Sequence, residues 1–256
     1  MSASLSFGGD VAERWLRGES GPLAHGRRTA KALAEQVLPD SLVVWRGTEA
    51  RRGPWSSLRR VIRRSGSNDA RPGRVALSFD DGPTPLTQRY LEVLGQLDVR
   101  ATFFVVGELC AARPDWVRAI AERGHELAGH GYTHRPFTTL SRAELASELA
   151  RTRELLPTRA AKRQLVRPPY GGVSASSLLT CALQGFTTVL WSLNSGDWRA
   201  KDAQEVERTF SASRATAGEI VLLHEGQPLT IEALPRVVSS LKESGHELVT
   251  VGELLA

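Results

Sequence analysis

The chain has 256 residues, 41% of them hydrophobic, and 33 Lys and Arg against 28 Asp and Glu give a formal net charge of +5. That length holds one large domain or two small ones, and a single α/β barrel of this size is ordinary. No apolar stretch approaches a membrane span, and the opening MSASLSFGGDVAERWLRGE lacks the apolar segment of a secretory signal, which taken literally places the chain in the cytoplasm.

Residues 1–50 predict a helix over TAKALAEQVL, a Pro-Asp break and a short strand SLVVW, packed on the main domain rather than forming one. Residues 51–74 then carry eight arginines and one aspartate, so this arm holds +7 and the rest of the chain −2. Within the arm, Leu58, Val61 and Ile62 share one helical face, with Arg59, Arg60, Arg63 and Arg64 around the rest. This is the pattern of a short helix on an anionic surface, and equally that of an insertion packed by its apolar side. Only Trp55 interleaves with these arginines, so no nucleic-acid partner is expected.

From residue 75 onward short apolar runs alternate with longer helical patterns, the signature of βα units and a parallel sheet. Seven strands are predicted, in VALSF, ATFFVV, HELAG, QLVRP, TTVLWSL, EIVLL and ELVTV. Between them TQRYLEVLGQL, DWVRAIAERG, SRAELASELARTRELL and IEALPRVVSSLKESG repeat apolar residues at helical spacing, with Ser141 and Glu144 forming a capping box. Cys110 and Cys181, in the helical settings GELCAA and SLLTCALQG, read as two buried free thiols. The expected architecture is an α/β barrel of seven units over residues 75–256, with residues 1–74 as an extension.

In such barrels the chemistry lies at the carboxyl ends of the strands. The polar motifs fall there: SFDDGP after the first strand, GHGYTH after the third, RPPYGG after the fourth, NSGDW after the fifth and His224 after the sixth. Two carboxylates about 5 Å apart at an effective dielectric near 20 repel by about 3 kcal/mol, so the adjacent Asp80 and Asp81 call for a cation. His130 and His134, four apart, would share one side of a helical turn and one metal. Two imidazoles and one carboxylate leave coordination positions open, and the second carboxylate can then act as a base.

SFDDGP, HGYTH, RPPY, the DW of NSGDW and LLH occur in the order of the polysaccharide deacetylases with a NodB homology domain, carbohydrate esterase family four, which the chain resembles over about residues 75–252. The resemblance implies a distorted (β/α)7 barrel and a hydrolase that removes acetyl groups from N-acetylated sugars of an acetylated glycan. It implies Asp81, His130 and His134 as ligands of one divalent metal ion, zinc in the first place. Asp80 takes the part of general base and Arg167 that of its charge partner. The backbone N–H of Tyr170 falls to the oxyanion, His224 to the general acid and Asp197 to the orientation of its ring. Trp198 corresponds to the acetyl pocket, Tyr132 and Trp191 could line it or stack on sugars, and Trp191 fits the core better. Two positions depart from the family pattern: Ser78 stands for its threonine and Asn194 for the first aspartate of DxxDW.

The motifs do not separate amide from O-acetyl ester cleavage. A non-haem iron oxygenase also uses two histidines and a carboxylate, but oxidation needs neither the second aspartate nor an acid such as His224. An inactive carbohydrate-binding module on the same scaffold would be expected to have lost a ligand or the base. His25, His125 and His246 lie outside the motifs and receive no function.

Overall fold

The computed structural model describes residues 73–157, 164–210 and 215–256. The helix and strand expected in residues 1–50, the amphipathic pattern at 56–66 and His25 lie outside the described residues. The elements follow in chain order: β1 (Gly73–Gly82), α1 (Thr87–Gln96), β2 (Thr102–Val105), α2 (Gly107–Ala112), α3 (Pro114–Glu122), β3 (Glu126–Gly129), α4 (Arg142–Leu155), β4 (Gln164–Val166) and α5 (Ala175–Leu183). The chain continues through β5 (Phe186–Thr188), β6 (Leu193–Asn194), α6 (Ala203–Thr209), β7 (Ile220–His224), α7 (Pro228–Glu243), β8 (His246–Val249) and α8 (Val251–Leu254).

All ladders are parallel, and the sheet runs β5-β4-β3-β2-β1-β7-β6 with β8 also paired to β1. The run TTVLWSL, expected as one strand, is broken. Its start pairs with β4 and its end with β7, at opposite edges of the sheet. Between them Val189 N–H donates to Val166 O and Ser192 N–H to Ile220 O, so one segment crosses from edge to edge and curls the sheet into a distorted barrel.

Side-chain alternation builds the interior. Val75, Leu77 and Phe79 point outward into the main core with Phe103, Val105, Val221 and Leu223, where α1, α3 and α7 cover them with Tyr90, Leu94, Ile120, Leu234 and Leu241. Each such buried side chain contributes about 1.5–3 kcal/mol. Ala76, Phe104, Ala128, Leu165, Val189 and Ile220 face the other way and fill the barrel. Continuing these inward rows by two residues leads to Ser78 and Asp80, His130, and Arg167. All four are almost completely buried, and they form the floor of the site.

Ser141 and Glu144 make the expected capping box at α4. Cys110 and Cys181 are buried and free. Among the described residues no helix is long and apolar enough to cross a membrane.

Candidate active site

Asp80 and Asp81 are adjacent but differ in direction, for a backbone reason. Asp80 keeps the strand alternation and points into the barrel, 3% exposed. Asp81 has φ 71°, the left-handed region, and its side chain lies at the rim. A residue with a Cβ adopts that conformation at a penalty of about 1–2 kcal/mol, so its surroundings must enforce it.

Asp80 Oδ1 is 2.5 Å from Arg167 Nη1, and its Oδ2 is 3.7 Å from His130 Nε2. Asp81 Oδ1 is 3.4 Å from His130 Nε2 and 3.0 Å from His134 Nε2. One donor atom from each of Asp81, His130 and His134 lies within 4.8 Å of the others. His130 Nδ1–H donates to Arg167 O at 2.8 Å, which fixes the tautomer and leaves the Nε2 lone pair for a ligand. In the corresponding tautomer of His134, Nδ1–H donates to the Tyr170 hydroxyl oxygen at 3.4 Å. This set of two nitrogens and one oxygen, with both Nε2 atoms turned to the carboxylate, fits a divalent cation. Opposing burial, the contacts with His130 and His134 hold Asp81 well below the usual carboxylate range.

The histidines do not share a helical turn, as their spacing had predicted. GHGYTH is a loop after β3, with φ 78° at Gly131 and 58° at His134, and the two rings lie 5.0 Å apart. A buried carboxylate competes for the loop's amides. Glu148 on α4 accepts from Tyr132 N–H at 2.6 Å, Thr133 N–H at 2.9 Å and the Thr133 hydroxyl at 2.6 Å.

Across the site β1 and β7 place Asp80 and His224 in register. His224 Nδ1–H donates to Asp197 Oδ1 at 2.7 Å, and its backbone N–H to Asp197 Oδ2 at 2.7 Å. Asp197 also accepts from the Thr230 hydroxyl at 2.7 Å and from Trp198 N–H at 3.0 Å. Burial alone would lower the His224 pKa, but Asp197, with Asp80 and Asp81, outweighs it and raises it. Burial would likewise raise Asp197, and the bonds from His224 and Thr230 hold it low. Tyr90, from α1, directs its hydroxyl at both His224 O and Gln227 O and so braces the end of β7.

Arg167 is fully buried, its guanidinium carbon 3.9 Å from the Phe104 ring centroid, and Nη2–H reaches Leu190 O at 3.3 Å. Tyr170 has φ 59° and is 72% exposed, its ring 5.0 Å from that of His134. Trp198 is also exposed, whereas Trp191 packs against Gly171, and Tyr132 lies under the Arg151 guanidinium. A groove opens beside Asp81 and His134, walled by Val106, Glu108, Leu109 and Thr133. His125 and His246 precede β3 and begin β8, at the amino ends of the strands, remote from this face.

A family model described as polysaccharide deacetylase matches residues 67–189. The chitooligosaccharide deacetylase of Sinorhizobium fredii is 31% identical over 202 residues, a match that covers 73% of this chain and 92% of that protein. The chain belongs to the polysaccharide deacetylase family. A peptidoglycan-N-acetylglucosamine deacetylase of Listeria monocytogenes is 33% identical over 189 residues, 71% of this chain, and the match spans only 38% of that relative's length. Among solved structures, the family 4 carbohydrate esterase from Streptomyces lividans in complex with acetate superimposes with a TM-score of 0.63 at 35% identity, covering 69% of this chain and 92% of that one.

Both departures from this deacetylase family's pattern have a local account. The Ser78 hydroxyl donates to Val221 O at 2.6 Å, a bond threonine would also make. Asn194 Oδ1 accepts from Gly196 N–H at 2.9 Å and shapes the loop that carries Asp197, which an amide does as well as a carboxylate. Glu148, Glu225, Thr230 and Tyr90 contribute to the deacetylase-like site without belonging to a motif. Glu148 was detectable, because it stands three residues after Leu145 and four before Thr152, on the face that α4 buries.

Proposed function

We propose that the protein is a metal-dependent hydrolase that removes acetyl groups from N-acetylated sugars of a poly- or oligosaccharide. One observation carries the reading: Asp80 and His224 are register partners on adjacent strands, each with its own counter-ion, next to the Asp81, His130 and His134 cluster. A base and an acid are thus held side by side over one reaction centre.

Asp81, His130 and His134 would hold the ion, with zinc the best fit to two imidazoles and a carboxylate. When bound, such a cation supplies a Lewis acid for the acetamide carbonyl and makes water a better nucleophile at neutral pH. Asp80, tied to Arg167 through Oδ1, takes the proton of the attacking water on Oδ2. The Tyr170 N–H donates to the carbonyl oxygen as the carbon becomes tetrahedral. His224, whose proton affinity Asp197 raises, gives its Nε2 proton to the departing sugar nitrogen, and acetate is released. Tyr170 and Trp198 offer exposed rings to the sugar or its acetyl group.

The names of the relatives, which refer to chitooligosaccharides and to peptidoglycan N-acetylglucosamine, support an N-acetylglucosamine glycan as substrate and disfavour the oxygenase reading. The test is acetate release across chitin oligomers, peptidoglycan fragments and O-acetylated xylan, with chelator and after zinc is restored. Release from the N-acetylated substrates that chelator stops and zinc revives is expected. No release from any of them by zinc-loaded protein would overturn the reading.

A further inference from the structure

Two of the three side chains in the candidate metal cluster, Asp81 and His134, sit on left-handed backbone at residues that have a Cβ. Such a conformation persists only where neighbouring groups over-determine it. In both cases the neighbour is a buried glutamate outside the family motifs. The geometry points to Glu148 and Glu225 as positioning residues that set the metal site before any ion binds, an inference that rests on the proposed function.

Glu148 stands behind the histidine loop. Its Oε2 accepts from the N–H groups of Tyr132 and Thr133, the two residues that precede His134, and its Oε1 accepts from the Thr133 hydroxyl. Three donors from two consecutive residues converge on one side chain that is 7% exposed. These bonds hold the two residues before His134 and so oppose relaxation of its left-handed backbone.

Glu225 stands behind the aspartates. Its backbone N–H donates to Asp80 O at 2.8 Å, and its Oε1 accepts from Thr84 N–H at 2.9 Å, from the Thr84 hydroxyl at 3.2 Å and from the Thr87 hydroxyl. The turn after Asp81 is thereby tied to the end of β7, the strand end that carries His224. Oε2 has no hydrogen-bond partner among the described residues and presses against Gly82, where a Cβ would overlap it. A buried carboxylate oxygen without a donor is costly, and a fold retains one where the same side chain does something else. Here it wedges the peptide between Asp81 and the turn, while Oε1 holds the turn in place.

The two glutamates act by length and acceptor geometry, and the test separates these from charge. Zinc affinity of the metal-free full chain is measured by competition with a chromogenic chelator, with the melting of the metal-free protein as folding control. Glu148→Gln and Glu225→Gln keep an acceptor oxygen at the same reach and should bind zinc within about threefold of wild type. Glu148→Asp and Glu225→Asp keep the charge but fall short by one methylene, and should weaken zinc binding by about 10–100-fold. Thr133→Val removes only the hydroxyl bond to Glu148 and should weaken zinc binding severalfold, and it decides the matter if Glu148→Asp does not fold. Thr84→Val removes the hydroxyl bond to Glu225 together with the one that hydroxyl accepts from Leu86 N–H, and it decides for Glu225 if Glu225→Asp does not fold. Aspartate or valine variants that bind zinc like the wild type would overturn the inference, as would glutamine variants as weak as the aspartate ones. A wild type that binds no zinc would sink the proposed function together with it. Wild-type binding and acetate release with indifferent variants would sink the inference alone.

Discussion

Asp197 receives both the Nδ1–H and the backbone N–H of His224, each at 2.7 Å, so one carboxylate fixes the imidazole and the strand end beneath it. Burial works against the charged ring, and Asp197 more than offsets it, raising His224 above the ordinary value near 6.5. Asp197→Asn keeps an acceptor but removes the charge. The alkaline limb of the pH–rate profile should therefore move to lower pH, with activity at pH 8 down about tenfold or more. The sign for stability follows from the raised folded value. The stabilisation is complete below about 6.5 and is lost as pH rises through the folded pKa of His224. Denaturant unfolding should show a larger loss for Asp197→Asn at pH 6 than at pH 9. Equal losses at the two pH values, with an unmoved rate profile, would remove the coupling.

The paired aspartates should part company under the same substitution. Asp81 Oδ1 faces both histidines, whereas Asp80 Oδ1 is taken by Arg167. Asp81→Asn should lose bound metal and activity together. Asp80→Asn should retain the metal and lose about 10²-fold or more in kcat, the effect of removing a general base. Metal analysis beside kinetics checks this, and equal metal loss in both variants would contradict the division of labour.

Arg167 and Asp80 form a fully enclosed ion pair. Taking away one partner leaves the other charge buried and unpaired, so Arg167→Met should cost about 3–5 kcal/mol of unfolding free energy. Adding Asp80→Asn to that background should recover part of the loss. Guanidinium unfolding of the single and double variants measures the coupling, and additive losses would mean that the two groups are independent.

Much of this arrangement could be read from the sequence. The strands of β1, β2, β3, β4, β7 and β8 announced themselves as short apolar runs, and the motifs fell at their ends because the alternation that fills the barrel with Ala76 also turns Asp80 inward. The break between β5 and β6 was not legible, since it depends on pairing at opposite edges of the finished sheet. Two helices escaped for different reasons. α6 buries only Ala203 and Val206, and α8 follows β8 with a β-branched run, ELVTV, that continues the strand pattern until Thr250 caps the helix. The histidine loop was misread as helical because a spacing of four has no single backbone solution, and Glu148, far along the chain, selects the non-helical one. Glu225 carried no signal at all, because a carboxylate in a turn is ordinary until Gly82 is found packed against it.

Gly82 and Gly95 provide a contrast within a short stretch of chain. A methyl group at Gly82 would overlap the Glu225 carboxylate, which three oxygen and nitrogen donors from Thr84 and Thr87 prevent from moving aside. At Gly95, near the end of α1, a methyl group would meet nothing within 4 Å among the described residues, and the backbone is ordinary helix. Gly95→Ala should therefore stabilise the protein by about 0.5–1 kcal/mol and leave activity alone. Gly82→Ala should displace Asp81 and reduce metal affinity by about tenfold or more. Thermal melts and chelator competition on the two variants read out both effects. A Gly82→Ala protein that binds metal normally would show that the turn has slack, and that Asp81 is held by its own strand rather than by the carboxylate beneath it.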